Sequence, residues 1–138
     1  RLTSELQDVY KKANQLTKGK KKPKIFVEIW DDPLITAGPG TFIDELIEIA
    51  GGENIASDSG IEWPEFSEEA VVKRDPDVII TMWAEPESIL IRPGWNSISA
   101  CKSGRIKKMN PDLLTRPGPR LIQGLTELLY AIYPDLTT

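Results

Sequence analysis

Lys24-Ile25-Phe26-Val27-Glu28-Ile29-Trp30, the run KIFVEIW at residues 24–30, decides the fold. It is β-branched and aromatic, bounded by Pro23 in front and by Asp31-Asp32-Pro33 behind, and reads as a buried strand. Val78-Ile79-Ile80-Thr81 repeats the pattern, Arg105 to Met109 predicts a third strand, and a shorter one is expected at Asn54 to Ala56. Helical segments lie between them. Thr41 with Asp44 fits the Ser/Thr-x-x-acid start of a helix whose face is Phe42, Ile43, Leu46, Ile47 and Ala50, with Gly51-Gly52 as its stop. Ser67, followed by Glu68 and Glu69 against the positive end of the dipole, starts another that Asp75-Pro76 ends. Arg92 to Gly104 reads as irregular with one helical turn, and the spacing of Leu121, Ile122, Leu125, Leu128, Leu129 and Ile132 predicts a closing helix. Short apolar strands alternating with amphipathic helices indicate an α/β fold with a parallel sheet covered on both faces.

Ahead of the first strand, Leu2, Leu6, Val9, Tyr10, Ala13 and Leu16 recur at helical spacing, predicting an amphipathic helix over residues 2–17 that ends near Gly19. Its apolar stripe needs a cover. The run Lys18, Lys20, Lys21, Lys22 and Lys24 reads as a solvated loop.

With 138 residues, 40% hydrophobic and 28% charged, the chain has the size and composition of one globular domain with a real core. It has no His and only Cys101, which excludes His-based zinc sites, Ser-His and Cys-His catalysis, four-cysteine clusters and an internal disulfide. A net charge of -4 argues against nucleic acid as a partner, since that binding needs a basic face. No stretch approaches the roughly 18 to 20 apolar residues needed to cross a bilayer, and no secretory signal stands at the front, so the chain as given reads as soluble. It starts with Arg1 inside a periodic pattern, and a processed product or shortened piece is expected.

Ligands of open parallel sheets bind beyond the carboxyl ends of the strands. There Trp30 follows the first strand with Asp31 and Asp32, Trp83 follows the central one with Glu85, and Asp112 with Arg116 follows the third; Trp63 and Trp95 lie in loops returning to the same edge. The four indoles are read as a wide aromatic surface with a few charges, suited to a large flat or amphipathic ligand; any one of them is equally well a plug on the sheet edge. Catalytic readings are weaker. Asp31-Asp32 resembles a Mg-dependent phosphotransfer pair, but adjacent carboxylates in an extended segment point apart, and a turn is the simpler reading. Gly38-Pro39-Gly40 lacks the third glycine of a dinucleotide loop, and Pro39 removes a donor. Cys101 beside Lys102 reads as an inert thiol, and Tyr130 and Tyr133 as packing residues.

Four segments carry a resemblance: Ala50-Gly51-Gly52-Glu53-Asn54-Ile55, Trp63-Pro64-Glu65-Phe66-Ser67-Glu68-Glu69, Arg74-Asp75-Pro76-Asp77-Val78-Ile79-Ile80 and Arg116-Pro117-Gly118-Pro119-Arg120-Leu121. In that order they resemble the substrate-binding proteins of bacterial ABC importers for vitamin B12, haem and iron-siderophore, over nearly all of Lys24 to Asp135. The resemblance implies two α/β lobes joined by a long helix, with ligand between them. This chain is similar to the second lobe: residues 1–22 would be the end of the connecting helix and a basic loop, and 23–138 a Rossmann-like, three-layer lobe with a parallel sheet of four to five strands. The first lobe, and with it half of the ligand site, would be missing. The resemblance further implies that Glu69 pairs with arginines of the membrane permease, that Trp63 faces ligand, and that Asp112 and Arg116 stand near corrin side chains. The loop Trp83 to Trp95 has no counterpart there. A dipole-complementing surface acid is the simpler role for Glu69, compatible with docking.

The implied function is a non-enzymatic, extracytoplasmic lobe, in a periplasmic protein or membrane-anchored lipoprotein, with ligand contacts Trp30, Trp63, Trp83, Asp112 and Arg116 and no resident metal or cofactor. Corrinoid (cobalamin) ranks ahead of ferric siderophore. Haem ranks last because axial His is missing and Tyr lies elsewhere. A nucleotide-binding or catalytic α/β module is the alternative of another class. With half its cover gone, the stripe on residues 2–17 is expected to drive self-association.

Overall fold

A computed structural model of the protein describes residues 22–31, 33–110 and 121–132, together with Asp8, Lys11 and Gln15. Its main sheet has two largely apolar central strands, β1 (Lys24–Glu28) and β5 (Val78–Thr81), flanked by the short polar edge strands β4 (Glu53–Asn54) and β6 (Ile106–Lys108). All neighbours are parallel, in the order β4-β1-β5-β6, with Ile25 opposite Val78 and Ile79 opposite Ile106. β5 is buried at every position, as expected for a strand covered on both faces.

Two cores flank the sheet. On one face Ile25, Val27, Val78 and Ile80 pack with Ile43, Leu46 and Ile47 of α1 (Phe42–Ile49) and with Leu128 and Ile132 of α5 (Leu121–Ile132). On the other, Phe26 and Ile79 pack with Val71 of α2 (Glu68–Arg74), Ile89 of α3 (Pro86–Leu90), Trp95 in a short 3-10 turn (Trp95–Ser97), and Ala100 of α4 (Ser99–Lys102). This is the three-layer α/β arrangement, with four strands in the main sheet among the described residues.

The helix starts follow the local chemistry. The Thr41 hydroxyl accepts from the Asp44 amide at 3.1 Å, and Ser67 from the Ala70 amide at 3.0 Å. Gly51, at φ 86°, turns the chain out of α1, and Asp75 closes α2 in the left-handed region at φ 51°. Asp75 is held there by the Ser99 amide and hydroxyl, which donate to its carboxylate at 2.7 and 2.9 Å. Asn54 is buried and ties three segments together: its Nδ2 donates to the Ala37 carbonyl and the Asp44 carboxylate, and its Oδ1 accepts from the Ala56 amide. Arg105 donates to the Ala131 and Ile132 carbonyls, capping α5.

The KIFVEIW run is not one strand. The sheet strand stops at Glu28, and Trp30–Asp31 (β2) turns back through Pro33 to pair antiparallel with Leu34–Ile35 (β3). The Ile29 amide bonds the Ile35 carbonyl at 2.8 Å, so the run leaves the parallel ladder and its last residues stand on the rim. Asp8, Lys11 and Gln15 are helical and exposed, on the polar side of the predicted amphipathic stripe. The apolar residues of that stripe, and the lysine run up to Lys21, lie outside the described residues.

Candidate functional site

The parallel sheet sends every strand's carboxyl end to one edge, and Trp30 and Trp83 stand beyond β1 and β5 there. They are 49% and 59% exposed, and their rings meet edge to face at 6.4 Å between centroids. Trp63 is likewise 49% exposed. Its segment is pinned to the same small sheet: Thr36 and Gly38 amides donate to the Pro64 and Glu62 carbonyls, the Phe66 amide donates to Leu34, and Glu65 bridges Ile35. Gly38 permits this approach, because a Cβ there would stand 2.0 Å from the Ile61 carbonyl oxygen. A second brace comes from Arg74, whose Nη1 donates to the Ile55 carbonyl at 2.6 Å and pairs with Asp58 at 2.8 Å while the guanidinium lies over Phe66. The hydrogen bond from Arg74 holds the Asp58 carboxyl below its usual range.

Trp95 overturns the expectation of a four-indole surface. It is fully buried, edge-on to Phe26 at 6.3 Å, and its Nε1 donates to Glu68 at 3.1 Å. Beside it lies a group that sequence reasoning missed. Glu28, 2% exposed at the end of β1, receives both arms of Arg92 at 2.6 and 2.9 Å, and that guanidinium stacks over Trp95 at 4.6 Å. The Glu28 carboxylate holds the Arg92 pKa further above its ordinary value. An acid in the first strand and an arginine after Ile91 were the available signals, though 64 positions separate them.

Glu85, exposed after β5, pairs with Lys108 at the end of β6. The rim of the described residues therefore carries exposed rings, with the Glu28–Arg92 and Glu85–Lys108 ion pairs near them. Among the described residues no cluster of three or more His, Cys, Asp or Glu is placed to hold a metal ion. Cys101 is buried in the second core, and burial pushes its thiol pKa up, which keeps it protonated. Asp112, Arg116 and Tyr133 lie outside the described residues, and nothing is described of the Tyr130 side chain.

Glu69 is exposed in the first turn of α2. Its neighbour Glu68 is turned to Trp95, so the adjacent acids differ in availability. Both line a shallow depression with Val72, Lys73, Pro93 and Gly94.

The chain spans about half the length of the curated relatives it matches. It is 38% identical over 136 residues to an uncharacterized ABC transporter substrate-binding lipoprotein of Bacillus subtilis, covering 97% of this chain and 43% of that protein. It is 30% identical over 127 residues to the vitamin B12-binding protein of Salmonella choleraesuis, covering 92% and 47%. Among solved structures, a possible iron-binding (periplasmic solute-binding) protein from Staphylococcus epidermidis superposes with a TM-score of 0.83 at 33% identity, over 94% of this chain and 53% of that one. The sequence profile described as periplasmic binding protein matches residues 1–113, from the predicted leading helix through every strand of the sheet. By that match, and by the α/β lobe it shares with these relatives, the chain belongs to the periplasmic binding protein family.

Proposed function

We propose that residues 23–138 form the second ligand-binding lobe, and residues 1–22 the end of the inter-lobe helix, of an extracytoplasmic substrate-binding protein that delivers a metal chelate to an ABC importer. The carrying observation is the exposed indole platform at the sheet edge, Trp30 against Trp83 with Trp63 on the braced segment beside them. Apolar rings bordered by paired charges suit a broad ligand that brings its own metal coordination. A corrinoid is the first reading, supported by the vitamin B12-binding relative; a ferric siderophore is the second, supported by the iron-binding neighbour. Asp112 and Arg116 complete the ligand contacts in this reading. Family membership favours binding over catalysis. The lipoprotein relative supports an extracytoplasmic place, and no helix among the described residues is long and apolar enough to cross a membrane.

Titrating the full-length protein with cyanocobalamin, with a ferric hydroxamate and with haem, followed by Trp fluorescence, ranks the ligands; saturation by none of them overturns the chelate reading. This chain alone should bind at least about a hundredfold more weakly than the two-lobed protein, on the order of 3 kcal/mol. It should also self-associate through residues 2–17, and a strictly monomeric mass by light scattering counts against that.

Glu69 is the proposed contact to a permease arginine. Glu69→Ala should leave ligand affinity and folding intact while weakening permease association and transport. Unchanged association, with the matching acid of the other lobe also removed, would leave Glu69 a local stabiliser of α2.

A further inference from the structure

The Glu28–Arg92 pair is costly for a lobe that needs only a core. Two charges taken out of water seldom stabilise more than apolar residues of the same volume, and a retained pair of this kind is a candidate for fixing geometry. Its connections point to what is fixed. Both Glu28 oxygens are taken by Arg92, Arg92 stacks on Trp95, and the Trp95 indole N–H holds Glu68, the first residue of α2. One end of this chain of contacts is the carboxyl end of β1, where the Glu28 carbonyl also accepts from the Met82 amide at 3.2 Å, next to Trp83. The other end is the residue before Glu69. The same loop carries Pro93 and Gly94, the far wall of the depression that Glu68 and Glu69 border.

We infer that Arg92 and Trp95 are positioning residues that fix the start of α2 on the sheet, so that Glu69 and the wall beside it keep a set place relative to the indole rim. The inference rests on the proposed docking role of Glu69 for its functional meaning, while the positioning itself is readable without a permease. Arg92 supplies a planar two-armed grip that a lysine would not. Trp95 supplies the ring beneath that grip and an indole N–H donor to Glu68. Ser67 caps the helix locally, and Val71 packs in the second core with Trp95, while the Glu68 contact adds a directional hydrogen bond from the Arg92 loop to the first turn.

Two variants of the full-length protein test this. Trp95→Phe keeps a ring against Phe26 and Arg92 and removes the donor to Glu68 together with part of the buried ring volume, so β5 exchange serves as the control for general loosening of the core. Glu28→Leu combined with Arg92→Met removes the charges while refilling their space. In each, hydrogen exchange at the Ala70 and Val71 amides should accelerate at least tenfold with β5 unchanged. Permease association should fall at least fivefold, and cyanocobalamin affinity should stay within twofold. Unaltered exchange in α2 together with unaltered association, in folded protein, overturns the inference and leaves the pair a folding element. If the double variant does not fold, Trp95→Phe decides. If Glu69→Ala fails to weaken association, the docking reading is lost, and the exchange rates alone decide the positioning.

Discussion

Trp30 and Trp83 meet with 75° between their ring planes at the carboxyl ends of adjacent parallel strands, each propping the other upright while leaving about half of itself to solvent. Such a pair is worth about 0.5–1.5 kcal/mol beyond its area. Trp83→Ala should therefore lower stability by about 1 kcal/mol or less, yet cut the affinity of the full-length protein for the proposed chelate about tenfold. Urea unfolding read beside a fluorescence titration separates the two, and unchanged affinity would remove Trp83 from the site.

Gly38→Ala tests the brace under Trp63. The new methyl would meet the Ile61 backbone oxygen, which no rotamer change relieves, so the 59–64 segment must shift. Expected are a loss of about 1–3 kcal/mol by the usual cost of overpacking and a weakened chelate titration. A wild-type melting curve with wild-type binding would show that the segment tolerates displacement.

Asp75 should contribute to acid sensitivity. Hydrogen bonds from the Ser99 amide, then the Ser99 hydroxyl, lower its pKa in the fold. A depressed folded pKa means stability fully present above the unfolded value of about 3.9 and lost as pH falls through the lower folded value. Asp75→Asn should thus be less stable than wild type at neutral pH, with the gap closing below the ordinary carboxylate range. A gap independent of pH would assign the effect to geometry instead of charge.

Cys101 should resist alkylation. With its pKa raised by burial, iodoacetamide at pH 8 should label it only as fast as the chain opens, and the rate should rise steeply near the urea midpoint. Rapid labelling of folded protein would contradict the packing of the second core.

The layers of this fold were legible because their signals are local. Val78–Ile80 is apolar at every position, and Thr41 and Ser67 cap helices through amides three residues on. Where the structure departs from the sequence pattern, the deciding partner is distant or the register changes. Trp30 continues the apolar run of β1, yet Pro33 and the Ile29–Ile35 hydrogen bond fold it into a hairpin. Trp95 was expected in the aromatic surface with the other three indoles. Its burial depends on Phe26, Arg92 and Glu68, which only the tertiary fold assembles around it. Glu28 likewise carries no local mark of its bond to Arg92. Trp30 and Trp83 were legible as rim residues because a parallel sheet dictates which strand ends face one edge.

The all-parallel order of the sheet also governs how this lobe must assemble in time. Ile25 has to find Asn54 and Val78, and Ile79 has to find Ile106, for the three ladders of the main sheet to close; the sole short-range pairing among the described strands is the two-residue Trp30–Ile35 hairpin. Chain entropy is spent before the ladder returns it, so refolding should be slow for a domain of this length. During that interval the Val78–Thr81 and Ile25–Val27 segments stand unpaired, and unpaired apolar strands of this kind are the ones open to association with other chains.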